Sequence, residues 1–183
     1  GDSRDIGDVF RAMLDMDAVV HLGELVGDPA CALDERLTLE INLAATRLLA
    51  EAARGYGIKR FVYASSCSVY GAGSEILDDR SALNPVSLYA QAKIGSEQAL
   101  RDLAGPDFHP VILRFATVYG LSPRPRFDLV INLLTARAVR GSKITILGGQ
   151  QWRPFVHVAD VARAINLCLE APLALVKGQT FNV

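Results

Sequence analysis

Apolar residues in this chain fall into short continuous runs separated by longer stretches with helical spacing. Asp17-Ala18-Val19-Val20-His21-Leu22, Lys59-Arg60-Phe61-Val62-Tyr63-Ala64 and Pro110 to Phe115 read as buried strands. Leu37 to Tyr56 places Leu39, Leu43, Thr46, Leu49, Ala50 and Ala53 on one helical face, and the Gly55 to Gly57 stretch ends it. A turn-rich stretch covers Gly71 to Pro85, and a second helix is expected from about Ser87 to Leu103. Beyond Pro125 the pattern loosens. It predicts a helix from Asp128 to Arg140, a strand at Lys143 to Leu147, a strand near Trp152 to Val156 and a helix from Val158 to Leu169. Short strands alternating with long helices predict βαβ units and a parallel sheet. Strands this uniformly apolar suit a sheet covered on both faces. The expected fold is therefore doubly wound α/β, with a smaller lobe beside the sheet.

Composition narrows the classes of partner. The 183 residues are half apolar, enough for one globular domain with a real core. Nineteen basic and 20 acidic side chains leave a net charge of −1, which offers no footprint for nucleic acid or an anionic membrane. No apolar run reaches the roughly 18 residues of a membrane span, and Gly1 to Asp5 shows no apolar signal segment. Cys31, Cys67 and Cys168 are far apart and odd in number, which suits a reducing compartment and predicts a cytoplasmic location. His21, His109 and His157 are isolated on different elements, so no metal site is expected.

The sharpest chemical signal is Tyr89-Ala90-Gln91-Ala92-Lys93 inside a predicted helix. Residues four apart share a face, so the ammonium is expected to favour the ionised phenol and make it a usable base for a hydroxyl. Such pairs also arise by chance on solvated helices. Upstream, the strand Phe61 to Ala64 runs into Ser65-Ser66-Cys67-Ser68, at the end of a parallel strand, where α/β sheets place ligands. Ser66 there is either a partner for the same hydroxyl or a turn cap. Cys67 reads as a half-buried thiol. Arg124-Pro125-Arg126 is equally well a solvated turn or a phosphate contact.

Three segments taken together resemble the extended short-chain dehydrogenase/reductases, more narrowly the NAD-dependent nucleotide-sugar epimerases and dehydratases. They are Phe61 to Gly71, Tyr89-x-x-x-Lys93, and Leu113-Arg114-Phe115-Ala116-Thr117-Val118-Tyr119-Gly120. Gly1 to Asp5, Ala18 to Gly23, Glu40-Ile41-Asn42 and Trp152 to Asp160 follow in the family's order. The resemblance implies a Rossmann-like fold with part of a small C-terminal substrate lobe. Residues 1–125 would form a partial NAD(P)-binding domain, and 126–183 would mix substrate lobe with returning sheet elements. It implies Ser66, Tyr89 and Lys93 as catalytic residues. It implies cofactor contacts from Asp2, Leu22, Gly23, Glu24, Asn42, Ser65, Tyr89, Lys93, Phe115, Ala116 and Val118. Substrate contacts would come from Ser66, Cys67, Ser68, Thr117, Arg126 and Arg153. The implied cofactor is NAD, with NADP left open, and the implied substrate is a nucleotide-diphosphate sugar. The helices near 37–56 and 87–103 resemble the pair through which the family forms homodimers.

The chain departs from the family pattern at several points. His21-Leu22-Gly23-Glu24 replaces the usual His-Leu-Ala-Ala. Cys67-Ser68 replaces the Asp-Glu of the 4,6-dehydratases, which favours oxidation and re-reduction at a hydroxyl carbon over elimination. Thr117 stands where the family often has Asn. No Gly-x-x-Gly-x-x-Gly turn is present, and Gly148-Gly149 does not open a helix. The expectation is thus a stretch of a longer epimerase-like enzyme. The alternatives are a carbonyl or keto-sugar reductase of the same superfamily, or an interaction module that binds no cofactor.

Overall fold

The computed structural model describes every residue except Ser74, Leu147 and Gln151. Its first half contains α1 (Ile6–Met13), β1 (Ala18–His21), α2 (Asp28–Leu33), α3 (Glu35–Leu39), a π-helical turn (Glu40–Ala44), α4 (Ala45–Gly55), β2 (Arg60–Ser66) and a 3-10 turn (Cys67–Tyr70). There follow α5 (Leu88–Leu103), β3 (His109–Phe115), β4 (Thr117–Tyr119), α6 (Val130–Val139), β5 (Phe155–His157), α7 (Val158–Glu170), α8 (Leu173–Val176) and β6 (Thr180–Asn182).

Four strands form a parallel sheet in the order β1-β2-β3-β6. Alternation along β2 sends Phe61 and Tyr63 to one face and Val62 to the other. On the first face they pack with Val9 and Met13 of α1, Ala50 and Ala53 of α4, and Leu100 of α5. On the second face Val62, Val111 and Leu113 meet Cys168 of α7 and Val176 of α8. Both faces are covered, which is why the strands read as unbroken apolar runs. The expected doubly wound parallel sheet is the observed one. A second, two-stranded parallel sheet pairs β4 with β5, and α7 and β6 then return the chain to the main sheet.

Local chemistry sets the helix starts. Asp5, Asp34 and Ser87 accept from the backbone N–H three residues on, capping α1, α3 and α5. The helix expected over Leu37 to Tyr56 begins two residues earlier and carries a π-turn in its middle. The strand expected at Lys143 to Leu147 is a correction: residues 143–146 are irregular and exposed, with no strand paired to them among the described residues to satisfy their backbone, and Leu147 lies outside the described residues. The strand near Trp152 to Val156 begins only at Phe155, because that is where pairing with β4 starts. No helix of the described residues is long and apolar enough to cross a membrane.

Candidate active site

The carboxyl ends of β1, β2 and β3 open on one edge of the sheet, the edge where parallel sheets collect ligands. β2 runs two residues further than its apolar run predicts, so Ser65 and Ser66 are still strand. Ser66 then caps the 3-10 turn, its hydroxyl accepting from the Ser68 N–H at 3.2 Å. Beside it, the Ser87 cap places Tyr89 in the first turn of α5 and Lys93 one turn later.

Lys93 is buried and carries the centre of the site. Its ammonium lies 2.7 Å from Glu24 Oε2, with the two side chains only 4% and 2% exposed. It also donates to the Ala64 carbonyl at the end of β2. Nζ stands 4.8 Å from the Tyr63 ring centre and 5.6 Å from that of Tyr89. The Tyr63 hydroxyl donates to Glu24 Oε1 at 2.7 Å, so the carboxylate is held at both oxygens. Burial pushes the Glu24 carboxyl up and the Lys93 ammonium down, and each is the charge that opposes the other's shift.

Tyr89 corrects one expectation. The spacing to Lys93 predicts a phenol tuned towards ionisation, but its pKa is raised. Burial is the main cause and the Glu24 carboxylate the second, while the Ser66 hydroxyl works the other way. The ammonium that should promote ionisation is paired with Glu24 at 2.7 Å.

The loop after β1 is fixed by Asn42. Its amide donates to the Leu25 carbonyl at 2.8 Å and its carbonyl oxygen accepts from the Leu25 N–H at 2.9 Å. The π-turn brings this fully buried side chain inward. The backbone carbonyl of Asn42 is satisfied by the Thr46 and Ser96 hydroxyls at 2.7 and 2.8 Å. Beneath the loop, His21 is 2.9 Å from Thr46 Oγ1. Burial, and secondly the charge of Lys93, push His21 down to about 4, so it is neutral near pH 7.

Ser65 does not face the same groups as Ser66. It donates at 2.6 Å to Glu97, one turn beyond Lys93 on α5. Glu97 grips Arg114 of β3 through both oxygens, at 2.9 and 2.7 Å. Arg114 also donates to the Tyr70 hydroxyl at 2.8 Å, and Tyr70 donates to Asn182 at 2.7 Å. This network locks α5, β3, β6 and the 3-10 turn together. Sequence reading did not single out Glu97, Tyr63 or Tyr70. The available signals were an arginine inside an apolar strand and the Tyr89, Lys93, Glu97 spacing of four.

The other candidate positions spread around this centre. Cys67 is half-buried; burial pushes its thiol up, and the charge of Arg153 works the other way. Ser68 Oγ is buried with no hydrogen-bond partner among the described residues. Leu22 is exposed, and a Cβ on Gly23 would meet open space, so this loop presents bare backbone. Phe115 ends β3 against the second core. Ala116 donates to the Val183 carbonyl at 2.7 Å and Thr117 to the Pro154 carbonyl at 3.1 Å, with Val118 beside them in β4. Arg126 is paired with Asp128 at 2.5 Å, and its guanidinium lies close to Gly27. Asp2 sits on the surface before α1, where Arg4 holds its carboxyl down at about 2. The structure thus brings Ser66, Tyr89, Lys93 and Glu24 together, and leaves Asp2 and Arg126 in pairs of their own.

A profile described as "NAD dependent epimerase/dehydratase family" matches residues 1–183. The chain is 35% identical over 144 residues to an uncharacterized UDP-glucose epimerase of Bacillus subtilis, YtcB, covering 78% of this chain and 44% of that protein. It is 28% identical over 207 residues to the UDP-glucose 4-epimerase of the same organism, covering 98% and 59%. Among solved structures, the UDP-glucuronic acid 4-epimerase of Bacillus cereus in complex with UDP-glucuronic acid and NAD superposes with a TM-score of 0.83. It is 29% identical, covering 98% of this chain and 58% of that one. The chain spans about half the length of the curated relatives it matches.

Proposed function

The chain belongs to the NAD dependent epimerase/dehydratase family, and from that premise we propose that it carries the acid–base half of an NAD-dependent nucleotide-sugar epimerase. The observation that supports this reading best is the convergence of Ser66, Tyr89 and Lys93 at the carboxyl end of β2, with a serine hydroxyl acting directly on the Tyr89 phenol. Tyr89 exchanges a proton with a sugar hydroxyl, and Ser66 shares a hydrogen bond with the same oxygen. Lys93, 5.6 Å from the Tyr89 ring centre, would hold the cofactor's ribose. The residues present suit the nicotinamide end of NAD: a buried ammonium, bare backbone at Leu22-Gly23 and the unpartnered Ser68 hydroxyl all offer contacts to a polar ligand. When bound, NAD supplies the hydride acceptor and donor that transient oxidation at a hydroxyl carbon needs.

On this reading residues 1–125 are the cofactor-binding part, and 126–183 combine substrate lobe with elements that rejoin the sheet. Arg153, whose charge is felt at Cys67, is suited to a nucleotide diphosphate, because its guanidinium fork matches phosphate oxygens. Cys67 and Ser68 carry no carboxylate, which favours epimerisation over elimination. A homodimer through α4 and α5 and a cytoplasmic location belong to the same proposal; the three free thiols fit the latter. The test is the Tyr89→Phe variant. It should keep the fold and lose conversion of UDP-glucose in the presence of NAD, whereas full turnover would sink the role given to Tyr89.

A further inference from the structure

Glu24 is the group that neither the acid–base pair nor the ribose contact requires. It is a carboxylate 2% exposed, at the carboxyl end of a strand, with one oxygen on Lys93 and the other on Tyr63. Burying a carboxylate is costly unless it is paired and hydrogen-bonded, and here both conditions are met. Its position in the loop is fixed by the Asn42 clamp on the next residue, Leu25.

We propose that Glu24 is a positioning residue of this site: its carboxylate anchors the Lys93 ammonium beside the Ala64 carbonyl, 5.6 Å from the Tyr89 ring centre, and offsets its charge there. The proposal rests on Tyr89 being the acid–base group of the function given above. The geometry leaves Glu24 as the deciding charge. From α2, Cys31 faces the cluster, and from the 3-10 turn Cys67 does; burial pushes both thiols up, so they are uncharged near pH 7. From β1, His21 is pushed down and neutral. From β2, Tyr63 is held well above the ordinary tyrosine value, chiefly by burial and then by Glu24. On α5 itself, Glu97 is already matched by Arg114 and Arg101. The charge of Arg153 is felt at Cys67. Lys93 and Glu24 remain, a neutral pair where an unopposed ammonium would favour the phenolate.

The charge can be read without cofactor or sugar, so the outcome does not depend on whether the protein epimerises anything. Tetranitromethane nitrates tyrosine through its phenolate, and trypsin releases Tyr89 as the only tyrosine of peptide 81–93. Removing a nearby anion lowers the phenol's pKa by roughly one unit or more, and one unit raises the phenolate fraction about tenfold at a pH below both values. At pH 8, Glu24→Gln should therefore nitrate at Tyr89 at least about tenfold faster than the native chain. Tyr63→Phe, which keeps the Glu24 charge, should stay within about twofold. Peptide 61–80, with buried Tyr63 and Tyr70, should stay unmodified in Glu24→Gln if the core is intact. A Tyr89 rate unchanged by Glu24→Gln overturns the proposal. If Glu24→Gln does not fold, Glu24→Met removes the same charge; it should nitrate at Tyr89 at least about tenfold faster than the native chain, and a Tyr89 rate equal to the native one with peptide 61–80 unmodified overturns the proposal.

Discussion

Glu97→Gln isolates the network that ties α5 to β3. The carboxylate is completely buried and accepts four hydrogen bonds: Ser65 at 2.6 Å, Arg114 at 2.9 and 2.7 Å, and Arg101 at 2.9 Å. The substitution keeps the shape, turns one oxygen into a donor that faces other donors, and leaves Arg114, 3% exposed, without its counter-charge. Removing one partner of a buried pair costs about 3–5 kcal/mol. At roughly 2–4 °C per kcal/mol for a chain of this size, the melting temperature should fall by about 10 °C. Removing both charges, as in Glu97→Met/Arg114→Met, should recover part of that loss, because no buried charge is then left unpaired. The pH dependence gives a second readout. Burial raises Glu97, but the hydrogen bonds and charge of Arg114, with Ser65 and Arg101, outweigh it and lower the folded-state value. A carboxyl lowered on folding contributes stability that is fully present above its unfolded value of about 4.3 and is lost as pH falls through the folded one. Native protein should therefore lose stability on acidification below about pH 4.5, and Glu97→Gln should lack that component of the loss. Urea titration across pH 3–7 measures both effects. A Glu97→Gln cost under about 1 kcal/mol with an unchanged acid limb would refute the claim that this pair holds the site's floor.

Four shorter predictions follow from the same structure. Tyr89→Phe should lower turnover by about 10²–10⁴-fold with an unchanged circular dichroism spectrum, the range expected for loss of a general acid–base group. Asn42→Ala should remove both clamps on Leu25, and hydrogen exchange at the Leu25 amide should speed up at least tenfold while β2 amides keep their protection. Gly71→Ala should destabilise the chain by about 2 kcal/mol or more in urea titration, since φ is +71° and the new Cβ would lie 2.0 Å from the Asn84 carbonyl oxygen. Sedimentation equilibrium should give a homodimer, and a monomer at all concentrations would remove α4 and α5 as its interface.

Much of this architecture is legible in sequence because the physics is local. Unbroken apolar runs mark strands buried on both faces, and Ser87 marks the start of α5 through its side-chain cap. Tyr89 and Lys93 are found because four-residue spacing fixes a shared helix face. What escapes prediction depends on contacts between distant segments. The π-turn at Glu40–Ala44 has no compositional mark; it is satisfied by Ser96, a residue 54 positions from Asn42. β6 is three residues long and exists through pairing with β3. Residues 143–146 run irregular although Lys143 to Ile146 has strand-like composition, because no strand among the described residues pairs with them. Within the site, the sequence shows that a glutamate replaces a small residue in the loop after β1. Only the fold shows its carboxylate on Lys93, where it adds to the burial that raises Tyr89.

The central claim is that Tyr89 and Lys93 serve reversible oxidation at a sugar hydroxyl carbon without net consumption of cofactor. The direct measurement is proton NMR of UDP-glucose incubated with the protein and a trace of NAD, with absorbance at the reduced-nicotinamide band followed in the same sample. The anomeric signal of the C4 epimer should grow to a stable ratio while absorbance stays flat. A stoichiometric rise in reduced cofactor, or no epimer from protein that binds both NAD and UDP-glucose, would contradict it.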